Sequence, residues 1–223
     1  MCGICGFINL NSSPADREIV ERMNRALVHR GPDGSGVLVS GSVALAMRRL
    51  AIIDLAGGRQ PMSNEDGSVW IVFNGEIYNS PQLRRQLEGQ GHHFAGHSDT
   101  EAIIHQYEEV GPACPDHLRG MFAFAILDQR PAVNGDQRPT LLLARDRIGI
   151  KPLFYYLDDH LLAFSSELTS LVQHPHIPRQ IEPAALRQYL ATGTVASPLT
   201  MFKSIRQLLP GQRLILQHSR RFH

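Results

Sequence analysis

Met1-Cys2-Gly3-Ile4-Cys5-Gly6 opens the chain, and its second residue decides how the rest of the sequence is interpreted. A methionine followed by a small residue is normally removed, which would leave Cys2 as the first residue, with a thiol and a free α-amine. An α-amine has an ordinary pKa of about 7.7 to 8.0, so much of it is close to its neutral form at physiological pH. It can act as the base for its own thiol, and the position of Cys2 therefore predicts a self-contained nucleophile.

Two other interpretations of this stretch stay open. Cys2 and Cys5 form a C-x-x-C pattern, but no second pair completes a zinc site, and the redox motif belongs in a βαβ setting that the sequence does not show. Cys2 could instead be an inert residue in a frayed terminus. With Cys114 the chain has 3 cysteines, too few for a disulfide framework in a chain of this length, so we expect reduced thiols.

The composition describes a globular chain of nearly balanced charge. Its 223 residues include 22 Lys and Arg against 21 Asp and Glu, a net charge of +1 that argues against a polybasic nucleic-acid or membrane surface. Hydrophobic residues make up 43% and charged residues 19%, which suits a chain that buries a sizeable core. No apolar window reaches the length of a membrane span and no secretory signal pattern occurs, so we expect a cytoplasmic protein.

Helical and strand patterns alternate along the chain. Ser13 is a candidate N-cap with Pro14 at the first helical position, and apolar residues then follow at helical spacing as far as Gly31. Short β-rich runs come next, with Ser40-Gly41 as a hairpin turn and a run that ends at Asn74-Gly75. This mixture favours an α+β fold with largely antiparallel sheets packed under helices over a doubly wound parallel sheet. Further helices are predicted to begin at Ser80, Ser98 and Pro183, and strands are predicted over 37–39, 43–46, 50–53, 69–73, 121–127, 140–144, 153–157, 161–164 and 213–216.

A series of longer segments follows one order from Cys2 to about Gln217. The segments are Cys2-Gly-Ile-Cys-Gly6, His29-Arg-Gly-Pro-Asp33, Arg49-Leu-Ala-Ile-Ile-Asp54, Gln60-Pro61, Phe73-Asn-Gly-Glu-Ile-Tyr-Asn79, Ser98-Asp-Thr-Glu101, Arg119-Gly-Met-Phe-Ala-Phe124, Ala144-Arg-Asp-Arg-Ile-Gly-Ile-Lys-Pro-Leu-Phe-Tyr155 and Ser165-Ser-Glu167. In these segments the chain resembles the class II glutamine amidotransferase domain, an N-terminal-nucleophile hydrolase, in the version found at the front of asparagine synthetases. So many ordered matches are far more specific than a single motif.

The resemblance implies the fold, the domain organisation and the reaction. The fold would be the four-layer αββα sandwich of N-terminal-nucleophile hydrolases, with largely antiparallel sheets. Residues 2–180 would form the amidotransferase domain, and residues 181–223 would form a linker towards a synthetase domain that this chain lacks. Cys2 would attack the side-chain amide of glutamine, form a thioester and release ammonia, and water would then release glutamate.

The resemblance also assigns an oxyanion hole to Asn74 and Gly75. The asparagine side-chain amide and the glycine backbone N–H would both donate to the oxygen on which negative charge develops. Taken alone, Asn-Gly is the strongest two-residue hairpin signal, so a simple turn is the alternative. After a start of Cys-Gly-Ile, we prefer the catalytic interpretation.

Further residues match the family's contacts with glutamine. Arg49 would clamp the α-carboxylate with its planar guanidinium, and the alternative is a solvated arginine beside Arg48. Asp99 would hold the α-ammonium, and it would also suit an ordinary helix N-cap, a role compatible with the first. The remaining glutamine-binding residues implied by the resemblance are Leu50, Ile53, Asn74, Gly75 and Glu76.

Other patterns receive no catalytic role. The segments 30–33 and 145–149 are interpreted as shaping turns and buried ion pairs near the pocket. Several residues have ligand-like spacing, but we find no acidic or thiol partner in the sequence to complete a group, so we expect no metal site. These residues are His92, His93, His97, Cys114 and His117.

The sequence lacks the motifs that would bind ATP. Neither a Ser-Gly-Gly-x-Asp-Ser loop nor a Gly-x-x-x-x-Gly-Lys loop occurs, so no cofactor is assigned to this chain, and ATP and Mg²⁺ are expected only in the synthetase domain. The expected partners are glutamine, a synthetase domain or subunit and, in one arrangement, a second copy of the chain, without nucleic acid or membrane. Three functions stay open: the glutaminase half of an asparagine synthetase-like enzyme, a glutaminase serving another acceptor synthase, and a non-catalytic glutamine-binding regulatory domain. The intact set that favours an enzyme is Cys2, Arg49, Asn74, Gly75 and Asp99.

Overall fold

Two β-sheets form the centre of the protein in the computed structural model, which describes residues 1–50, 58–131 and 139–217. The strands of these residues are β1 (Gly3–Asn9), β2 (Gly34–Ser40), β3 (Val43–Arg49), β4 (Met62–Ser63), β5 (Val69–Ile77), β6 (Gly120–Asp128), β7 (Thr140–Arg145), β8 (Phe154–Leu157), β9 (Leu161–Ser165), β10 (Ile205–Gln207) and β11 (Arg213–Gln217). Sheet 1 has the order β10-β8-β9-β1-β3-β2, and sheet 2 has the order β11-β7-β6-β5-β4. Neighbouring strands of both sheets pair antiparallel.

Four of the five α-helices of the described residues pack on the outer faces of the two sheets. The five are α1 (Arg17–Arg25), α2 (Ser80–Gly89), α3 (Asp99–Val110), α4 (Leu168–Leu171) and α5 (Pro183–Thr192), with 3₁₀ helices over Val28–Arg30 and Gly111–His117. Within the described residues, no helix is both long and apolar enough to cross a lipid bilayer.

Three apolar clusters separate the layers of helix and sheet. One lies between the two sheets and includes Ile4 of sheet 1 and Val72 of sheet 2. A second lies between sheet 1 and α1 and includes Phe7 and Met23. A third lies between sheet 2 and the helices α2 and α3, and includes Ile103. Three clusters between four layers confirm the predicted αββα sandwich with antiparallel sheets.

Strand alternation determines which side chains face the layer between the sheets. Successive residues of a strand point to opposite faces, so Ile4 of β1 faces this layer while Cys5 faces α1. The same alternation turns Met47 of β3, Val72 of β5 and Ala123 of β6 into the layer. Continuing each alternation by two residues leads to one end of the layer, where the cleft is lined by Cys2, Arg49, Asn74 and Met121.

Two predicted boundaries near the N-terminus are wrong. Helix α1 begins at Arg17 rather than Pro14, because Asp16 is the N-cap and its side chain accepts the backbone N–H of Glu18 at 2.8 Å. The first hairpin turn lies one residue later than predicted, since Ser40 pairs with Val43. Both predictions placed the boundary too early in the chain, by three residues for the helix and by one for the turn.

The strand predicted to end at Asn74-Gly75 continues through both residues to Ile77. Asn74 pairs with Ala123 and Gly75 with Phe122, so the hairpin interpretation of Asn-Gly is wrong. Of the strand predicted over 50–53, Leu50 lies outside any strand, and the other residues lie outside the described part of the chain.

The segment after residue 180 contributes strands to both sheets. Strand β10 pairs with β8 at the edge of sheet 1, and β11 pairs with β7 at the edge of sheet 2. The division of the chain into a domain over 2–180 and a linker over 181–223 stays a prediction.

Candidate active site

A cleft opens at the end of the layer between the sheets. It has a volume of about 210 Å³, and β3, β5, β6 and the N-terminus of α3 all contribute to its walls. Its lining residues are Met1, Cys2, Met47, Arg49, Leu50, Gly58, Gln60, Phe73, Asn74, Gly75, Glu76, Ser98, Asp99, Thr100, Met121 and Lys151. The apolar core between the sheets thus ends, at the side where Cys2 lies, in a pocket that adds charged and polar side chains to apolar ones.

Cys2 is half-buried and held from both sides. The backbone N–H of Leu50 donates to its Sγ at 3.4 Å, and Arg30 Nε donates to its carbonyl oxygen at 2.9 Å. Arg30 also donates to Glu167 Oε1 at 2.9 Å, and His29 Nε2 lies 3.0 Å from the same oxygen. Burial opposes ionisation of Glu167, but the hydrogen bonds and charges of Arg30 and His29 together outweigh it and keep the pKa of this carboxyl below its ordinary value. The 30–33 segment therefore supports the backbone of the proposed nucleophile.

Cys5 and Cys114 differ from Cys2 in their surroundings. Both are fully buried free cysteines. Burial raises the pKa of Cys5 to about 12, and burial also raises the pKa of Cys114. Because the thiolate is the reactive form, neither suits nucleophilic catalysis at neutral pH. Cys2 and Cys5 face different layers, so the C-x-x-C interpretation as a redox pair is wrong.

Asn74 presents an unused donor at the cleft. The residue is 1% exposed, and its Nδ2 has no hydrogen-bond partner among the described residues. Beside it, a Cβ atom on Gly75 would overlap the carbonyl oxygen of Met121, so β5 and β6 approach here as only glycine allows. A buried donor without an acceptor costs about 1–3 kcal/mol, and an oxygen of a bound molecule would remove that cost. Asn74 therefore has the unused donor that an oxyanion hole requires.

Arg49, Leu50 and Glu76 also line the cleft, as the sequence analysis predicts. Arg49 ends β3 on the same face as Met47, and its carbonyl oxygen accepts the backbone N–H of Asp33 at 3.1 Å. Ile53, the other predicted member of this group, lies outside the described residues.

Asp99 lies at the first turn of α3 and faces the cleft. Its Oδ2 accepts the backbone N–H of Ile77 at 2.9 Å, which joins α3 to the end of β5. Burial, together with the neighbouring charge of Glu76, raises the pKa of Asp99 despite the N–H groups that favour its ionised form. The helix N-cap is Ser98, whose side chain accepts the N–H of Thr100 at 3.2 Å. The alternative of Asp99 as the N-cap is therefore wrong, and its carboxylate is available to the cleft.

The cleft residues that the predicted set omits include Gln60 and Lys151. Gln60 Oε1 accepts the N–H of Phe73 at 2.6 Å, and its Nε2 donates to Thr100 Oγ1 at 3.2 Å, so it connects β5 to α3. Lys151 is buried, and its Nζ donates to Met1 Sδ at 3.4 Å. Both residues fall within segments that carry the family resemblance, which is the signal that could have identified them.

The turn that positions Lys151 is organised by Asp146. The Asp146 carboxylate accepts the backbone N–H groups of Phe122 at 3.2 Å and of Lys151 at 3.0 Å. Burial opposes its ionisation, but such N–H donors outweigh burial and lower its pKa. Arg145 donates to the carbonyl oxygens of Lys151 and Leu208 at 2.7 and 2.6 Å. The predicted turn is confirmed, whereas Arg145 binds carbonyl oxygens rather than forming the predicted ion pair.

Known proteins are similar to this chain in sequence and in fold. The chain is 37% identical to the glutamine-hydrolysing asparagine synthetase 3 of Bacillus subtilis over 218 residues, which is 96% of this chain and 34% of that protein. It is 41% identical to asparagine synthetase 2 of the same organism over 223 residues, 96% of this chain and 28% of that protein. The chain thus spans about a third of the length of these relatives.

A solved structure shows the same architecture. The glutamine phosphoribosylpyrophosphate amidotransferase of B. subtilis, complexed with ADP and GMP, superposes with a TM-score of 0.66 at 21% identity. The match covers 96% of this chain and 47% of that chain, which shows that the two chains share their fold. The family model of the glutamine amidotransferase domain matches residues 1–222. With a match over nearly its whole length, the chain belongs to the glutamine amidotransferase domain family.

Proposed function

We propose that this chain hydrolyses glutamine to glutamate and ammonia, with Cys2 as the nucleophile. The observation that carries the proposal is the buried Nδ2 of Asn74, a hydrogen-bond donor without a partner among the described residues, on the same cleft as the Cys2 thiol. A donor aimed at developing negative charge is the feature that distinguishes a reacting site from a binding pocket.

The reaction has two halves. With Met1 removed, the α-amine of Cys2 takes the thiol proton, and Sγ attacks the amide carbon of glutamine. The carbonyl oxygen becomes negative and accepts from Asn74 Nδ2 and the Gly75 N–H. The protonated amine then gives its proton to the amide nitrogen, the carbon–nitrogen bond breaks and ammonia leaves. Water, deprotonated by the same amine, attacks the thioester carbon, and glutamate leaves as the sulfur recovers its proton.

The opposite end of glutamine carries one positive and one negative charge, and the cleft offers a complement to each. Arg49 provides a planar guanidinium for the α-carboxylate. Asp99 and Glu76 provide carboxylates for the α-ammonium, with Asp99 fixed by its bond to the Ile77 N–H. Leu50 connects this end of the cleft to the nucleophile, because it follows Arg49 in the chain and its N–H donates to the Cys2 sulfur. This charge arrangement favours an amino acid over a simple amide.

The ammonia would pass to a synthetase domain of the kind found in the asparagine synthetases that the chain resembles. That domain would bind ATP and Mg²⁺, and residues 181–223 would lead towards it. Exposed apolar side chains support such a contact, because soluble surfaces seldom keep them in groups. Those on α5 are Leu186, Tyr189 and Leu190, and those on the turn before Lys151 are Ile148 and Ile150.

The test is release of glutamate and ammonia from glutamine by the purified chain, with asparagine as a competing amide. Cys2→Ala is the control, and intact mass measures whether Met1 has been removed. We expect glutamine-specific release that the control loses, with the variant still folded by circular dichroism. Equal turnover by the Cys2→Ala chain would overturn the mechanism.

The outcome also separates a glutaminase from a regulatory binding domain. Release by the chain alone identifies a working glutaminase. Release only after a synthetase is added identifies a glutaminase gated by its partner. Glutamine binding without release under either condition, from a chain that has lost Met1, would identify a regulatory binding domain and contradict the proposal.

A further inference from the structure

A group of metal-binding side chains lies outside the catalytic cleft. His105 and Glu108 are one turn apart on α3, and His92 belongs to the connection between α2 and α3. One potential ligand atom from each of the three residues lies within 4.8 Å of the other two. The sequence pattern groups His92 with its neighbours His93 and His97, whereas the fold places His105 and Glu108 beside it. The spacing of His105 and Glu108, three residues apart on a helix, was the available signal.

The separations within the group suit a small divalent ion. Glu108 Oε2 lies 2.8 Å from His105 Nδ1 and 3.5 Å from His92 Nδ1. Zinc bound tetrahedrally at about 2.1 Å from each ligand places ligand atoms about 3.4 Å apart. The two separations that involve Glu108 lie on either side of that value, and the two histidine nitrogens lie within 4.8 Å of each other, so binding an ion would draw the group together slightly. Two imidazoles with one carboxylate are an ordinary zinc ligand set.

The residues around the group resemble the outer shell of a metal site. Metal-bound histidines normally hold their other ring nitrogen against a carboxylate, and metal-bound carboxylates are themselves hydrogen-bonded. Here His92 Nε2 lies 2.8 Å from Glu109 Oε1, and Asn64 Nδ2 donates to Glu108 Oε1 at 2.8 Å. These contacts orient His92 and Glu108 towards each other.

His105 adds an observation of its own. Its residue is 2% exposed, and its Nε2 has no hydrogen-bond partner among the described residues. Its ring also packs edge-on against Phe94, with centroids 4.6 Å apart. The nitrogen that faces the group is Nδ1, which lies beside Glu108, and Nε2 is not one of the proposed ligand atoms. His105 is therefore a buried imidazole that is packed against the rings of Phe94 and His92 and turns Nδ1 towards a carboxylate.

We propose that His92, His105 and Glu108 bind a Zn²⁺ ion, with Glu109 and Asn64 as supporting residues and water as the fourth ligand. The ion would fasten residues 90–98 to α3. That connection ends at Ser98 and Asp99, the residues that open α3 beside the cleft. The site is structural and does not depend on the glutaminase proposal.

The experiment is a Zn²⁺ titration against a competing chromophoric chelator, performed on the Cys2→Ala chain so that the accessible thiol cannot bind the ion. We expect one equivalent of tightly bound Zn²⁺ and an increase in Tm on binding. His92→Gln, which changes a partly exposed ligand, should weaken affinity by more than about 100-fold and abolish the Tm increase, because it removes a ligand outright. Glu109→Gln should weaken affinity by about 10-fold, as loss of an outer-shell carboxylate does.

His93→Gln is the matched control, since His93 is exposed and adjacent to His92 but outside the group. It should bind Zn²⁺ as tightly as the parent chain. Circular dichroism of each variant checks that the fold is retained. The proposal is overturned if the parent chain binds no stoichiometric Zn²⁺ at micromolar free ion, or if His92→Gln binds it unchanged.

Discussion

Cys2 and Cys5 are three residues apart, yet they belong to two different regions of the molecule. Cys2 lies at the end of the layer between the sheets, half-buried, with the Leu50 N–H on its sulfur. Cys5 lies in the layer between sheet 1 and α1, fully buried, with its pKa raised to about 12 by burial. The difference comes from strand parity, because side chains an odd number of residues apart face opposite sides of β1.

The comparison teaches that the site is a continuation of one core layer. The residues that face the layer between the sheets are apolar along most of each strand, and polar ones occur only at the end beside the cleft. Elsewhere the protein has residues of the same types that face no cleft. Substituting a cleft residue and a residue of the same type outside the cleft therefore separates effects on activity from effects on stability.

The largest expected difference is between the two cysteines. Cys2→Ala should lower glutamine turnover by at least about 10⁴-fold, because no other group supplies the nucleophile. Cys5→Ala should leave turnover within a few-fold and reduce the free energy of unfolding by about 1 kcal/mol through lost packing. Steady-state kinetics and urea unfolding measure the two effects, and alkylation followed by mass spectrometry should label Cys2 well before Cys5. Equal labelling of both thiols would remove the basis of the comparison.

The second difference is between two buried asparagines. Asn74→Ala should lower kcat by about 10²–10³-fold with little change in KM, because its amide acts on the charge formed during reaction. Asn24 of α1 is equally buried but donates to Ser35 Oγ at 3.0 Å, away from the cleft. Asn24→Ala should therefore change stability and leave kcat unchanged. A loss of kcat in both variants would mean that the effect of Asn74 is structural.

The smallest difference is between two aspartates at helix N-termini. The folded state raises the pKa of Asp99 through burial and the charge of Glu76, so its ionised form costs stability at neutral pH. This loss of stability grows as the pH rises through the raised pKa, and it disappears below about 3.9, the pKa of an aspartate in the unfolded chain. Asp99→Asn should therefore increase Tm at neutral pH while weakening glutamine binding.

The control for this change is Asp16→Asn. Asp16 is exposed and caps α1, a position where asparagine serves as well as aspartate. Its Tm should change little at any pH. Thermal unfolding at neutral pH and near pH 4, with glutamine binding by calorimetry, separates the two variants. A lower Tm for Asp99→Asn at neutral pH would show that the carboxylate is stabilising.

The sequence predicted the fold class and seven of the residues that line the cleft. Periodicity identified α3 and the long strands β5 and β6, and the ordered family segments identified Cys2, Arg49, Asn74 and Asp99 as candidates, all of which line one cleft. Local sequence signals gave the wrong structure where a turn and a strand were both possible for the same residues. The Asn-Gly pair has strong turn chemistry, but its pairing with Ala123 and Phe122 keeps it in the sheet.

Other features depended on contacts between distant parts of the chain. Strands β4 and β10 are two and three residues long, too short for a periodic pattern, and exist because a neighbouring strand offers hydrogen bonds. The link from Gln60 to Phe73 and Thr100 and the approach of His92 to α3 are likewise tertiary. No single-sequence pattern encodes which buried residues will meet.

The absence of a side chain at Gly75 has a consequence for how this site can evolve. With the Met121 carbonyl where a Cβ would be, any substitution must push β5 and β6 apart and carry Asn74 away from Cys2. We therefore expect no other residue to be tolerated at this position, since even alanine would move the backbone that the reaction uses. Changes in substrate preference must instead come from positions that contribute a side chain to the cleft, such as Glu76.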